Sequence, residues 1–131
     1  MRIIGGKMRG TKLFTLDGFE TTRPTLDRVK ESLFNIISVK LVDSIVLDLF
    51  AGSGALGIES ISRGANKAFL CVESKKAIGI INQNVLKTRC SEQVCVINKN
   101  HMQVLNGFKN SNIKFDIVLM SYLLYFSLTI G

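Results

Sequence analysis

Proline is almost missing from this chain: Pro24 stands alone, tryptophan is absent, and His101 is the only histidine. A lone histidine excludes a multi-histidine metal centre. The three cysteines, Cys71, Cys90 and Cys95, are odd in number and lack C-x-x-C spacing. Neither a disulfide framework nor a zinc site is therefore indicated, no metal is expected, and the thiols read as reduced and cytoplasmic. Met1 to Lys7 has no apolar core of the kind a signal peptide needs. The uncharged stretch from Ile117 to Gly131 falls short of the ~18 apolar residues of a membrane span, so no membrane partner is expected. Acids are scarce, 10 against 17 Lys and Arg, and the net charge of +7 favours an anionic partner. Nucleic acid is the commonest such partner.

What is present is enough for one globular domain: 131 residues, of which 47% are hydrophobic, without repeats or low-complexity segments. Residues 1–22 read as a basic arm, with strand-like pieces at Arg2 to Ile4 and Lys12 to Thr15 broken by Gly5, Gly6, Gly10 and Gly18. Residues 23–131 read as the main domain. It opens on a helix entered through Arg23-Pro24-Thr25. The spacing puts Leu26, Val29, Leu33, Ile36 and Ile37 on its core face and Arg28, Lys30, Glu31 and Asn35 off it.

From residue 45 the pattern alternates: strand 45–49, helix 55–63, strand 68–72, helix 75–87, strand 93–97, helix 101–107 and strand 115–120. Such alternation predicts an α/β, Rossmann-like fold with a mostly parallel sheet. Ligands of such sheets bind beyond the carboxyl ends of the strands. Asp48, Glu73 and Asn98-Lys99-Asn100 fall at that edge.

The most informative stretch is Val46-Leu47-Asp48-Leu49-Phe50-Ala51-Gly52-Ser53-Gly54-Ala55-Leu56-Gly57. An apolar strand runs into an acid and then into a glycine loop that opens a helix. Gly52 and Gly54 let the backbone turn tightly beside a cofactor, and Gly57 lets the helix pack on its strand. Glu73 follows the next strand, about 20 residues on, where an acid accepts hydrogen bonds from ribose hydroxyls. Glycines of nicotinamide-binding folds begin right at the strand end, whereas here Asp48-Leu49-Phe50-Ala51 intervenes. NAD is accordingly the lesser reading.

Asp48-x-Phe50-x-Gly52-x-Gly54 resembles motif I of the class I S-adenosylmethionine-dependent methyltransferases. Met1-Arg2-Ile3-Ile4-Gly5-Gly6, Gly10-x-Lys12-Leu13, the block from Thr22-Arg23-Pro24-Thr25 to Asn35, and Asp48 to Glu59 together resemble the RsmD family of bacterial 16S ribosomal RNA guanine-N2 methyltransferases. The likeness extends to about residue 120.

The resemblance implies S-adenosylmethionine as cofactor, held by Asp48, Phe50, Gly52, Ser53, Gly54 and Glu73, with Asn100 accepting from the adenine amine. It implies methylation of a guanine N2 in small-subunit ribosomal RNA or the assembled small subunit. Arg2, Lys7, Arg9, Lys12, Arg23, Arg28 and Lys30 would grip phosphates.

Relatives carry an Asx-Pro-Pro-aromatic loop after strand four. Here Ser121-Tyr122-Leu123-Leu124 stands in that place, no catalytic residue is assigned, and the sequence reads as truncated after strand four, which becomes an apolar edge. The chain is therefore expected to be inactive as written; the alternatives to a methyltransferase are a non-catalytic cofactor- or RNA-binding remnant and, ranked lower, an NAD-binding oxidoreductase fragment. No oligomeric state is read from it.

Overall fold

The computed structural model describes residues 1–16 and 24–120, with side chains from residue 27 onward in the first helix. Its elements are α1 (Pro24–Leu41), β1 (Ile45–Asp48), α2 (Ala55–Ser62), β2 (Lys67–Cys71), α3 (Lys75–Thr88), β3 (Val94–Ile97), α4 (His101–Lys109) and β4 (Ile117–Leu119). The strands form one 4-stranded sheet in the order β3-β2-β1-β4, and every pairing is parallel. The alternating architecture is the expected one, with element ends moved by one or two residues.

Local chemistry sets the element boundaries. The Ser74 hydroxyl accepts from Ala77 N at 3.3 Å and opens α3, while left-handed Arg89 closes it. α4 starts with a capping box, in which Asn100 and Gln103 exchange side-chain to backbone bonds of 2.9 and 3.1 Å. Asp116 takes Ile45 N on its carboxylate at 2.8 Å and returns its own N–H to the Ile45 carbonyl at 2.9 Å, which seats β4 beside β1.

Alternation along the strands divides the core. Val46, Ala68, Leu70 and Val72 face the layer built from Phe34, Leu41, Ile58, Ile61 and Ile81. Leu47, Leu49, Phe69 and Cys71 face Val104 and Phe108 of α4. The chain goes outward from β1 through β2 to β3 and then returns across to β4. Right-handed crossovers therefore put α4 on the face opposite α2 and α3. The reversal lies between β1 and β4, and the carboxyl ends there make the switch point at which open α/β sheets hold ligands.

The arm is no separate ribbon. Ile3 and Leu13 are buried in the main core, and an isolated antiparallel bridge joins Arg2 to Lys12. Met8 N bonds the Ser62 hydroxyl, and Ile4 N and Gly5 N bond the Glu59 carboxylate, each at 2.9 Å.

Two readings of α1 are corrected. Lys30, assigned to the solvent side, is 4% exposed. Ile36, assigned to the core, is 75% exposed. The buried stripe runs through Lys30, Phe34 and Leu41, because Glu59 of α2 supplies Lys30 with a countercharge inside the core. Among the described residues, no helix is long and apolar enough to cross a membrane. Among the described residues β4 is the outermost strand next to β1, with Val118 exposed.

Candidate functional site

Asp48 ends β1 fully buried, and its Oδ1 accepts from Phe50 N at 3.1 Å. That bond turns the chain as it leaves the sheet. Ala51 N then reaches the Cys71 carbonyl at 3.1 Å, which ties the loop to the end of β2. Gly52 and Gly54 follow with φ of 55° and 83°, a left-handed conformation that β-carbons resist. Close packing adds a second demand at Gly57, where a Cβ would overlap the Leu70 side chain of the underlying strand.

These turns open a cleft of about 460 Å³ over the strand ends. Its lining includes Leu16 of the arm, Phe50 and Gly52 of the loop, Glu73 after β2, and Lys99 and His101 after β3. The volume falls within the range of small-molecule sites. Phe50 and His101 stand with ring centroids 5.0 Å apart and planes tilted by 43°, forming one aromatic wall. Glu73 is exposed at the rim. Asn98, its amide turned so that the nitrogen faces the carbonyls, donates to the Val72 and Glu73 carbonyls at 3.1 and 3.0 Å and braces that rim from β3.

Cys71 Sγ donates to the Lys99 carbonyl at 3.0 Å. Burial pushes its pKa up, and the charges of Glu73 and Asp48 add to the shift. The group stays a thiol, and a thiol is what the donated bond needs.

Of the residues expected to hold a cofactor, Phe50, Gly52 and Glu73 line the cleft, and Asp48, Ser53 and Gly54 shape the loop that borders it. Asn100 stands beside the cleft at the start of α4. Its amide oxygen caps α4 by accepting from Gln103 N at 2.9 Å, and the residues on either side of it, Lys99 and His101, face the cleft. Lys99, placed at the binding edge by the sequence, lines the cleft, whereas sequence reasoning passed over Leu16, His101 and Asn84. Asn84 was marked by a polar residue on an otherwise apolar stripe with Ala77, Ile81 and Val85.

A second, larger groove of about 710 Å³ shares no described residue with the cleft. Arg2, Arg9, Arg28 and Arg63 line it together with Asp27 and Glu31. Lys7 and Lys12 are exposed outside that groove. Lys30, expected among the phosphate-gripping cations, is corrected here: it lies in the core 3.0 Å from Glu59 Oε1 and donates to the Arg2 carbonyl at 3.1 Å. Arg23, Ser121 and Tyr122 lie outside the described residues.

Residues 1–121 match the family model described as Conserved hypothetical protein 95. The ribosomal RNA small subunit methyltransferase D of Haemophilus influenzae is 40% identical over 129 residues, covering 98% of this chain and 66% of that protein. Its namesake in Escherichia coli K12 is 45% identical over 105 residues, covering 80% and 52%. This chain thus spans between about half and two thirds of the length of these relatives.

Among solved structures, a putative methyltransferase from Escherichia coli aligns with a TM-score of 0.69 at 38% identity, covering 80% of this chain and 55% of that one. A hypothetical protein of Thermus thermophilus aligns with a TM-score of 0.77 at 27% identity, covering 92% and 67%.

Proposed function

Because the chain belongs to the family described as Conserved hypothetical protein 95, we propose that its cleft is the S-adenosylmethionine site of a small-subunit ribosomal RNA guanine-N2 methyltransferase, in a sequence that lacks the Asx-Pro-Pro-aromatic acceptor loop turnover would need. The observation that carries this reading is the glycine loop at the switch point between β1 and β4, opening on one cleft with Glu73 on its rim. The names of the relatives support the substrate class.

The residues fit the group. With no Cβ at Gly52, the backbone is bare where a cofactor must approach, and the nearest side-chain atom is Leu16 Cδ1, 4.0 Å from the place a Cβ would take. Glu73 is free to accept from two ribose hydroxyls, and the Phe50–His101 wall offers apolar surface to a flat base. Asp48 acts one step back, since its carboxylate fixes Phe50 and the loop entry. S-Adenosylmethionine supplies an electrophilic methyl group on a sulfonium. The protein's part is to hold that group still, exclude water and aim the acceptor nitrogen.

Arg2, Arg9 and Arg28 are proposed to hold RNA phosphates along the larger groove, with Lys7 and Lys12 beside it. A guanine inside a helix is out of reach of any such cleft, so the target base has to leave its stack. Calorimetric titration with S-adenosylhomocysteine and with NAD tests the cofactor, and filter binding to small-subunit RNA tests the partner. Equal affinity for the two nucleotides would reject the reading.

A further inference from the structure

Asn84 is completely buried in α3, on the stripe that carries Ile81 and Val85 into the core. A buried amide is tolerated where its polar atoms are paired, and here they are. Oδ1 accepts from Phe14 N at 2.7 Å, and Nδ2 donates to the Phe14 carbonyl at 3.0 Å and to the Ser53 carbonyl at 2.9 Å. The side chain gives the arm the two-point pairing that a neighbouring strand would give. Its remaining N–H grips the middle residue of Gly52-Ser53-Gly54. Two residues beyond Phe14, Leu16 lines the cleft.

We propose that Asn84 is a positioning residue that couples the arm to the glycine loop, so that a ligand in the cleft and a docked arm stabilise each other. The inference rests on the reading of the cleft as the S-adenosylmethionine site. Its physical basis is one amide shared by two segments. If the arm lifts, both Phe14 bonds are lost, and the Ser53 carbonyl is held by a side chain free to rotate. If the loop is fixed by a ligand, the amide plane is fixed with it and the Phe14 pairing is pre-formed. Coupling of this kind is reciprocal. Since Arg2 and Arg9 belong to the same arm, RNA that holds the arm down tightens the cofactor site.

The test is residue-resolved amide hydrogen exchange on the full chain, with and without saturating S-adenosylhomocysteine, calorimetry having established saturation. The Phe14 amide is expected to exchange on the order of tenfold more slowly with the nucleotide bound. Leu16→Ala, which trims the one side chain that the described arm residues place in the cleft, should keep that slowing. Asn84→Ala should abolish it while still binding nucleotide. Should the alanine variant fail to fold, Asn84→Asp replaces it: it keeps an acceptor for Phe14 N–H, loses the donors to the Phe14 and Ser53 carbonyls, and should likewise leave the arm unresponsive.

Binding without any slowing at Phe14 in the unaltered chain overturns the inference alone. Slowing that disappears in Leu16→Ala but survives in either Asn84 variant also overturns it, because the cleft ligand would then hold the arm directly. No binding by the unaltered chain overturns the cofactor reading and the inference with it.

Discussion

Lys30 and Glu59 form an ion pair of 3.0 Å inside the protein, with side chains 4% and 0% exposed. Glu59 also takes Arg63 Nε at 2.8 Å and the Ile4 and Gly5 amides at 2.9 Å each, so one carboxylate joins the arm, α1 and α2. Removing it leaves Lys30 charged and unmatched in the core. Glu59→Ala is expected to destabilise the fold by about 3–5 kcal/mol, the usual cost of breaking a buried pair from one side. Urea unfolding followed by circular dichroism measures it. A loss below about 1 kcal/mol, the scale of exposed pairs, would contradict the burial of this pair.

The same carboxylate sets an acid limit. Burial pushes its pKa up, but the charge of Lys30 and the bonds from Arg63, Ile4 and Lys30 together outweigh burial, and the net shift is downward from 4.5. A folded-state value below the unfolded one means that the unfolded chain binds more protons in the interval between them. The stabilisation is then complete above about pH 4.5 and is lost as pH falls through the lower folded value. Urea midpoints across the acid range up to neutral pH should show this fall in the native chain and a shallower one in Glu59→Gln.

How much of this was legible in the sequence follows from the range of the interactions. The glycine loop and the strand–helix alternation are local patterns, so Asp48, Gly52, Gly54 and Glu73 could be placed from the sequence alone. Lys30 could not. Its burial is decided by Glu59, 29 positions away on another helix, and the apolar spacing of α1 alone rotated the core face toward Ile36. Asn84 was hidden for a similar reason, since its partners Phe14 and Ser53 are 70 and 31 residues distant. Asn100 stands at the expected edge of the sheet, and its capping of α4 is chemistry that any asparagine at a helix start performs.

Cofactor choice gives the next test. Glu73→Ala should weaken S-adenosylhomocysteine binding by about 1.5–3 kcal/mol, the usual worth of hydrogen bonds to a charged acceptor. Isothermal titration reads this directly. An unchanged affinity would remove Glu73 from the site.

For RNA, the groove makes a prediction that the charge count does not. Replacing Arg2, Arg9 and Arg28 by Gln should lower the slope of log affinity against log salt by about 0.7–0.9 for each phosphate no longer neutralised. Lys30→Met, by contrast, should alter stability while leaving the slope intact, because that cation faces Glu59 and the Arg2 carbonyl. A slope unmoved by the triple substitution would make the groove ordinary surface.

Catalysis is predicted from the acceptor side. The exocyclic nitrogen of guanine is a weak nucleophile, since its lone pair is delocalised into the ring, and it needs fixed acceptors for its protons and a fixed direction of attack. In the family that this sequence resembles, an Asx-Pro-Pro-aromatic loop after the fourth strand provides both. Here β4 ends at Leu119 and Ser121-Tyr122 follows, with no proline anywhere beyond Pro24. Removing one preorganised polar group of this kind typically lowers a rate by about 10²–10³. No methylation above background is therefore expected when the 131-residue chain is incubated with undermethylated small subunits and tritium-labelled S-adenosylmethionine. Ser121→Asp alone should not restore it, because the acceptor would return without the turn that aims it. Ready incorporation of label by the unaltered chain would show that Ser121 and Tyr122 build the acceptor site in another way.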